Sequence, residues 1–507
     1  MIQIRIRAER ITHLISPGIY GASYAQAGGA GIKCTVDRWG GNNASRYNPQ
    51  QNADNKGSDW YFQSIPMGSD TPGGYTRDFA ATAAAAGADA MLTVPMLGWV
   101  AKLGAGRSKT WSFSISKYGA QQSNDWQWCP DAGNGTQTNG QPITGNDPYD
   151  ANVPTNPASF ATWIASTTTD RPNVKYWLLD NEPGLWAFTH RDVVPTAPTS
   201  AELFTKSLQT AKVIRVNAPN AAICGPEEWG WSSYFYSPRD FQIGQTLGWG
   251  SPMPDRTRYG GRDPLTVYLQ QFRSHHLTTG QRMLDYFTLH YYPQGGEFSD
   301  DTSPAMCLRR NRSTRALWDL TYRDESWIND NVRLIPRMKD LVKRNYPGTK
   351  TGITEYCWGA DGHINGATTQ ADILGIFGRE ALDLACRWVA PSEGSITWKA
   401  MQLYRNAGGS GLGFGDASVA ASVPNPDDLS AFTAIDRATG HLTVMVINKT
   451  AGDKQVRFVV SGFRPGIVRR WTLRSDNSLL EESLGQMPGL VLSPGMSVQL
   501  YRISPRS

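Results

Sequence analysis

The chain contains the run Val-Lys-Tyr-Trp-Leu-Leu-Asp-Asn-Glu at residues 174–182, and a proline follows it. A second run, Gly-Ile-Thr-Glu-Tyr at residues 352–356, also carries a glutamate near its end. Both runs are typical of buried strands, where an ionised carboxylate costs free energy unless it has a partner or a task. Glu182 and Glu355 are therefore candidates for a functional pair of acids.

Short apolar runs like these alternate with helical patterns over most of the chain. Eight such runs predict an α/β fold, a (β/α)8 barrel. The predicted strands are Gly18–Tyr24, Lys33–Gly40, Ala88–Pro95, Val174–Glu182, Ala222–Glu228, Tyr286–Pro293, Gly352–Tyr356 and Ser395–Gln402. The predicted helices are Thr76–Ala86, Ala201–Val216, Asp330–Tyr346 and Thr369–Ala385.

The pattern changes after residue 425, where only short strand-like runs follow. This predicts a C-terminal β-sandwich, with which the N-terminal strand Ile2–Ile11 is expected to pair. We therefore divide the chain into an N-terminal strand (1–14), a catalytic barrel (15–425) and a sandwich (426–507). The predicted sandwich strands are Ala431–Asp436, Leu442–Asn448, Gln455–Val460, Gly466–Leu473, Leu490–Leu492 and Ser497–Ile503.

The composition excludes several classes of protein. The 507 residues carry a net charge of +5 without a basic run, which argues against nucleic-acid binding. No stretch approaches the roughly 20 apolar residues of a membrane span. The chain has 18 Trp and 20 Tyr. Exposed aromatic rings stack on sugar rings, although most aromatic residues of a protein pack in its core.

The cysteines give no sign of a metal cluster. All six are widely separated and none forms a Cys-x-x-Cys pair, which argues against zinc, while disulfide pairing cannot be deduced from spacing. Cys34, Cys224 and Cys357 lie in or beside predicted barrel strands, so we expect them to be buried free thiols.

The two acids end the fourth and seventh predicted strands, which lie across the barrel from each other. Barrel enzymes place their chemistry at the carboxyl ends of strands, so the two carboxyls are expected to converge. Hydrolysis of a glycosidic bond uses such a pair, one acid/base and one nucleophile or second base. The alternatives are a first-turn helix carboxylate for Glu182 and a buried salt bridge to Arg38 for Glu355.

Other polar residues end neighbouring strands. Arg38 ends the second run, and His290 and Tyr292 end the sixth. We expect Asn181 to hold a sugar hydroxyl, Tyr292 to hydrogen-bond Glu355, and His290 to orient the acids. A lone histidine at a strand end is more often structural.

These features together resemble the retaining (β/α)8 glycosidases, and more closely glycoside hydrolase family 44. That family comprises endo-β-1,4-glucanases and xyloglucanases with a barrel and a β-sandwich. By this resemblance Glu182 matches the acid/base and Glu355 the nucleophile of a double displacement. The matching segments are Asp37–Tyr47, Gly57–Phe62, Leu179–Glu182, Thr189–Asp192, Gly225–Trp231, His290–Pro293, Ile353–Tyr356 and Leu403–Asn406.

The resemblance implies a β-glucan substrate. We expect no organic cofactor, and the sequence leaves the oligomeric state open, with a monomer as one option. Mannan or xylan is the alternative substrate, and a non-catalytic polysaccharide-binding protein is the alternative class. Residues 1–7 alternate like a strand and lack the apolar region of a signal peptide. Because such polymers do not enter cells, we expect the mature, trimmed form of a secreted enzyme.

Substrate contacts and a metal site are also expected. Trp398, in the eighth run, is the leading candidate for stacking on sugar by resemblance to the wider clan, with packing as the alternative. Asp147 and Asp150 offer hard oxygen ligands for a structural Ca²⁺ that the resemblance implies, although Asn/Asp turn chemistry explains them nearly as well. The other candidate tryptophans are Trp60, Trp186, Trp231, Trp327 and Trp358.

Overall fold

The computed structural model describes residues 1–506. Its centre is a closed barrel of eight parallel strands, which confirms the predicted fold class. Each strand is buried along most of its length, since helices and loops cover the barrel from outside. The barrel strands are Gly21–Ser23, Val36–Trp39, Asp89–Val94, Val174–Leu179, Ala222–Glu228, Tyr286–Tyr291, Lys350–Tyr356 and Leu384–Arg387.

Helices connect most of the barrel strands. The long connection after the third strand contains two helices and several two-residue to five-residue strands. In chain order the α-helices are Gly74–Ala85, Ile115–Tyr118, Ala161–Asp170, Trp186–Thr189, Ser200–Asn217, Trp231–Phe235, Pro238–Leu247, Pro254–Arg258, Pro264–Thr279, Pro304–Ser313, Leu334–Asn345, Ile364–Arg379 and Ile396–Arg405. The short strands outside the barrel are Ala53–Asn55, Gln63–Pro66, Trp99–Ala101, Thr110–Trp111, Asn124–Asp125, Cys129–Gly133 and Asn152–Pro154.

The eighth predicted strand is wrong, while the first seven agree with the structure to within three residues at either end. Residues 396–405 form a helix, whose first turn is capped by Ser395 accepting from the Trp398 backbone N at 3.3 Å. Its buried residues Ile396, Ala400 and Leu403 recur at helical rather than strand spacing. The eighth strand is Leu384–Arg387, whose start lay within a predicted helix.

The C-terminal unit is one nine-stranded sheet that surrounds a small apolar core. The N-terminal strand Ile2–Leu14 pairs in parallel with Lys454–Ser461 and antiparallel with Ala417–Ser422. The latter strand lies before residue 426, where the sequence placed the start of this unit. The remaining strands are Leu429–Asp436, His441–Asn448, Pro465–Leu473, Leu479–Gln486, Val491–Ser493 and Ser497–Pro505.

A buried ion pair joins the sheet to the barrel. Lys449 Nζ lies 2.6 Å from Asp372 Oδ2, and both side chains are 2 % exposed. The Lys449 backbone carbonyl also accepts from Asn311 Nδ2 at 3.0 Å. Breaking a buried pair by removing one partner leaves an uncompensated charge, so this contact fixes how the sheet packs on the barrel.

The described residues also settle two simpler expectations. All six cysteines are buried and unpaired, as expected for Cys34, Cys224 and Cys357. Among residues 1–506, no helix has both the length and the apolar character needed to cross a membrane.

Candidate active site

Glu182 and Glu355 meet at the carboxyl end of the barrel, with His290 between them. One polar atom from each of the three side chains lies within 4.8 Å of the other two. His290 Nδ1 is 2.8 Å from Glu182 Oε1 and 3.5 Å from Glu355 Oε2. The acids are only 12 % and 6 % exposed, so the pair lies in a confined, poorly solvated position.

Three residues at these strand ends have left-handed backbone conformations. The φ angles are 65° at Asp180, 45° at Glu182 and 61° at Glu227. Non-glycine residues adopt this region at a cost, and such strain is concentrated at functional sites. Asp180 is fully buried and accepts from the Ser45 hydroxyl and the Met96 backbone N–H, which fixes the turn that presents Glu182.

The Glu355 carboxylate has two strong hydrogen-bond donors. Arg38 Nη1 donates to one oxygen at 2.8 Å, and the Tyr292 hydroxyl donates to the other at 2.9 Å. Arg38 Nη2 also donates to Asn181 Oδ1 at 3.1 Å, so a single guanidinium links the segments that carry both acids. The expected hydrogen bond from Tyr292 to Glu355 is therefore present. The salt bridge to Arg38, which was the alternative interpretation of Glu355, is present as well, and it is compatible with a nucleophile that must stay ionised.

Glu227 is a further acid of this cluster, and the sequence analysis did not single it out. It is fully buried and accepts from the hydroxyls of Thr288 and Thr354, the latter at 2.7 Å. His290 Nε2 lies 3.2 Å from Glu227 Oε2, and Arg38 Nη2 lies 3.7 Å from the same atom. Glu227 thus supports the two cations that contact Glu182 and Glu355. The only signal in the sequence was its place in a Pro-Glu-Glu triplet at the end of the fifth strand.

Burial and neighbouring charges shift the pKa values in this cluster. Burial raises the pKa of Glu182 and the charge of Glu355 adds to that, against the opposing hydrogen bond from His290. Burial lowers the pKa of His290, but the charge of Glu355 and the hydrogen bonds to Glu182 and Glu227 outweigh it and raise the pKa to about 10. Burial raises the pKa of Glu227, but the hydrogen bond and charge of His290 and the charge of Arg38 bring it below its ordinary value. At neutral pH, His290 is therefore an imidazolium and Glu227 a carboxylate.

Four of the six candidate tryptophans are buried by packing. Trp398, the leading candidate, lies on a helix rather than a strand, is 7 % exposed, and donates to the Gly28 carbonyl at 3.3 Å. A sugar ring needs an open aromatic face, so we correct this expectation. Trp186, Trp231 and Trp358 are also buried, at 1 %, 9 % and 2 % exposure.

Trp60 and Trp327 are the two exposed candidates, at 38 % and 58 %. Trp327 Nε1 donates to Gln294 Oε1 at 3.2 Å, and the Gln294 amide donates to the Tyr292 carbonyl at 2.9 Å. Gln294 thus links Trp327 to Tyr292, the residue whose hydroxyl donates a hydrogen bond to Glu355. Both side chains are partly exposed to solvent, so packing does not rule them out as substrate contacts.

Trp388, which directly follows the eighth barrel strand, was missed because that strand was misplaced. Its ring centroid lies 5.7 Å from the Arg38 guanidinium carbon, and its backbone N donates to the Tyr356 carbonyl at 3.0 Å. The eighth barrel strand ends at Arg387, and the peptide bond between Trp388 and Val389 is cis. The half-buried Trp388 ring therefore flanks the residue that holds Glu355.

Asp147 and Asp150 do not form a fitting Ca²⁺ site. Both oxygens of Asp150 accept from Lys117 Nζ at 2.7 Å, and one also accepts from the Tyr118 hydroxyl at 2.7 Å. Asp147 Oδ1 caps the backbone N of Tyr149 at 2.9 Å, which is turn chemistry. The Lys117 ammonium already neutralises the Asp150 carboxylate, and a Ca²⁺ ion bound to this carboxylate would be repelled by the ammonium.

A parallel barrel that brings two little-exposed carboxyls within 4.8 Å at its carboxyl end is the arrangement of the (β/α)8 glycoside hydrolases. Comparison with known proteins supports this class. A model of glycoside hydrolase family 44 matches residues 53–295. The chain belongs to this family.

Relatives of known structure cover the whole chain. The structure is similar to that of CelM2, a bifunctional glucanase-xylanase from a metagenome library, with 49 % identity, a TM-score of 0.97, and coverage of 100 % of this chain and 99 % of that one. A Paenibacillus polymyxa family 44 xyloglucanase, solved with xyloglucan, is 25 % identical with a TM-score of 0.81 and full coverage of both chains.

The curated relatives are longer proteins. Endoglucanase A of Paenibacillus lautus is 30 % identical over 485 residues, which cover 90 % of this chain and 65 % of the relative. The chain thus spans just under two thirds of the length of that relative. The similarity extends over both the barrel and the C-terminal sheet.

Proposed function

We propose that this chain is a retaining endo-β-1,4-glucanase that acts on cellulose-type glucans and xyloglucan. The observation that carries the proposal is the separation of the Glu182 and Glu355 carboxyls, whose nearest polar atoms lie within 4.8 Å. Retaining glycosidases hold their carboxyls about 5–5.5 Å apart, whereas inverting enzymes need about 6.5–9.5 Å to admit a water. The xyloglucan complex of the P. polymyxa relative supports the substrate class.

Glu182 acts first as the general acid. His290 donates to Glu182 Oε1 as an imidazolium, so the proton of the neutral acid resides on Oε2, the oxygen free to face the leaving group. Burial and the charge of Glu355 raise the pKa of Glu182, which favours the protonated form that a general acid needs. Glu355, oriented by Arg38 and Tyr292, attacks the anomeric carbon while that proton passes to the glycosidic oxygen.

The same residue becomes the general base in the second step. Once Glu355 is esterified, its negative charge no longer acts on Glu182, and the pKa of Glu182 falls. Glu182, deprotonated in the first step, then takes a proton from water as that water attacks the glycosyl ester. Glu355 leaves as a carboxylate, and the anomeric configuration is retained.

The first test is proton NMR of the early digestion of soluble xyloglucan, read before mutarotation. We expect the β-anomeric signal of new reducing ends to appear first. An α-anomer appearing first would mean inversion and would contradict the role of Glu355 as nucleophile. An absence of new reducing ends on every β-1,4-glucan would favour a polysaccharide-binding protein instead.

Xylan is a second candidate substrate. CelM2, 49 % identical to this chain, is described as a bifunctional glucanase-xylanase. Parallel assays on xyloglucan, carboxymethylcellulose, xylan and mannan would rank the substrates. Such polymers are found outside cells, and we expect the enzyme to act there.

Replacing Glu227 by glutamine is expected to lower kcat/KM by about 10–100-fold, since a charged acceptor for two threonines and His290 is lost. The substitution also removes one negative charge that balances Arg38 and His290. The pKa of Glu182 should then fall, because a more positive surrounding favours its carboxylate. Activity is lost as Glu182 deprotonates, so the alkaline limb of the kcat/KM–pH profile should move down by about one pH unit.

Glu228→Gln is the matched control for the charge of Glu227. Glu228 is the adjacent residue and is 2 % exposed, and burial raises its pKa to about 8. Because Glu228 is mostly neutral at pH 7, its replacement by glutamine removes little charge there, and the alkaline limb should move less than in Glu227→Gln. Identical pH profiles for the two variants would contradict the charge-balancing role of Glu227.

A further inference from the structure

A cavity opens at the amino end of the barrel, at the pole opposite the candidate active site. Its volume is about 510 Å³, and small-molecule sites commonly measure about 300–1,000 Å³. Its walls include residues at or near the starts of five neighbouring barrel strands, from Asp89 on the third strand to Lys350 on the seventh. We call it the amino-end cavity.

Positive charge is in excess around the amino-end cavity. Four of its lining side chains are cationic and two are carboxylates, which leaves an excess of two positive charges. The cations are Lys175, Arg215, Arg282 and Lys350, and the acids are Asp89 and Asp285. Like charges gathered around a concave surface attract an ion of the opposite sign, so the cavity favours an anion.

The two arginines already have structural partners. Arg215 Nη2 pairs with Asp285 Oδ2 at 2.6 Å, and Arg215 Nη1 donates to the Ala221 carbonyl at 3.1 Å. Arg282 Nη1 donates to the Thr349 hydroxyl at 2.8 Å. Among residues 1–506, Arg215 with Asp285 is the only ion pair within 4.0 Å that the four lining cations form. The arginines therefore hold the loops at this end, and the lysines have no carboxylate at contact distance.

The two lysines keep N–H donors free for a ligand. Lys350 Nζ donates to the Tyr286 hydroxyl at 3.3 Å and lies 5.2 Å from the centroid of the same ring. An ammonium has three N–H donors, so this contact uses only part of its capacity. Lys175 is exposed. Burial raises the pKa of Asp89 and the charge of Lys175 opposes that shift, so this ammonium lies close to the Asp89 carboxylate.

Two tyrosines give the cavity an aromatic wall. The ring centroids of Tyr176 and Tyr286 are 5.8 Å apart, and the ring planes are inclined at 77°. Both rings pack on the apolar residues that fill the barrel interior near this end, among them Cys224 and Cys386. Tyr286 is buried and Tyr176 is half-buried, so Tyr176 retains aromatic surface for a ligand. The cavity thus combines free cations, a carboxylate and an aromatic side chain.

We propose that the amino-end cavity binds a sugar that carries a carboxylate, a uronic acid. Lys175 and Lys350 supply the positive charge and the N–H donors for its carboxylate. Asp89 accepts from its hydroxyls, and Tyr176 packs against the C–H groups of its ring. An inorganic anion such as phosphate uses the lysines but neither the aromatic ring nor the acid, so the lining favours the uronic acid. This site is separate from the one that cleaves the substrate, and it does not depend on the proposed function.

Galacturonate and galactose are matched probes, because they differ only in the carboxylate at C6. Calorimetric titrations of the protein at pH 7 and low salt should show galacturonate binding at least about 10-fold more tightly than galactose, since only galacturonate forms charge-assisted hydrogen bonds. Inorganic phosphate is the third probe and should also bind at least about 10-fold more weakly than galacturonate, because it leaves Tyr176 and Asp89 without a partner.

Lys175→Gln and Lys350→Gln should each raise the Kd for galacturonate about 10-fold, because each removes a charged donor. Both should leave kcat/KM on xyloglucan unchanged, since the cavity lies at the far end of the barrel. Lys454→Gln is the matched control, because it removes the same charge from the C-terminal sheet and should leave Kd unchanged. If Lys350→Gln fails to fold after losing its contact with Tyr286, the exposed Lys175 still provides the test.

Four results would overturn the proposal. Undetectable binding of galacturonate would show that the cavity takes no such ligand, and equal binding of galactose would show that its charge plays no part. Equal binding of phosphate would show a general anion site without selectivity for a sugar. An unchanged Kd in the folded lysine variants, or an equal rise in Lys454→Gln, would place galacturonate elsewhere on the protein.

Discussion

Replacement of Glu355 by glycine is expected to lower kcat/KM on xyloglucan by about 10⁴-fold or more, because no nucleophile is left to form the glycosyl-enzyme. The substitution also leaves space beside Arg38 and Tyr292, the donors that now contact the Glu355 carboxylate. A small anion such as azide should enter this space and attack the anomeric carbon directly. Added azide should therefore restore cleavage of an activated aryl glycoside.

The stereochemistry of the rescued product tests the role of Glu355. A single displacement by azide inverts the anomeric centre, so the product should be the α-glycosyl azide. Mass spectrometry would detect the adduct, and NMR would assign its configuration. A β-azide, or activity of Glu355→Gly without added anion, would contradict the assignment of Glu355 as nucleophile.

Much of the barrel was predictable because most of its strands are apolar runs bounded by turn residues. Tyr286–Tyr291 is buried throughout, and the last three residues of Val174–Leu179 are buried as well, which produces the largely apolar pattern of a barrel strand. The eighth strand is only four residues long and follows a helix that is buried almost throughout, so periodicity could not separate them. Ile396–Arg405 offered a longer apolar run nearby and was mistaken for that strand.

The candidate site was predictable only where residues end a strand. Glu182 and Glu355 stand out because a carboxylate terminates an apolar run, and Arg38 follows the same logic. Glu227 also ends a strand, but its role depends on contacts with His290 and Thr354 from two other strands, which no local pattern encodes.

Local sequence could not test Asp147 and Asp150 as calcium ligands, because it does not show that a lysine already contacts Asp150. Lys117 comes from 33 residues before Asp150 in the chain, and its ammonium contacts both oxygens of that carboxylate. Local sequence shows the acidic residues of a loop but not the distant cation that neutralises them. The same limit applies to Trp388, whose place beside Arg38 depends on where the eighth strand begins.

Replacement of Glu182 by glutamine is expected to lower kcat/KM on xyloglucan by about 10²–10⁴-fold, the usual contribution of a general acid. The loss should depend on the leaving group. The dinitrophenolate of a dinitrophenyl glycoside leaves without protonation. Formation of the glycosyl-enzyme from this substrate should therefore proceed at nearly the rate of the unsubstituted protein. Its breakdown should slow, because no base activates water, and a burst of dinitrophenol should precede slow turnover.

The pH profile and an added anion separate Glu182 from Glu355. In the unsubstituted protein, activity should fall as pH rises through the raised pKa of Glu182, since only the protonated acid can donate. The glutamine variant should lose this alkaline limb on the activated substrate. Azide attacking its accumulated glycosyl-enzyme inverts a centre that has already been inverted once, so the product should be the β-azide. An α-azide from this variant, or an equal loss on activated and unactivated substrates, would show that Glu182 is not the acid/base. An α-azide from Glu355→Gly together with a β-azide from Glu182→Gln would assign the roles of both glutamates.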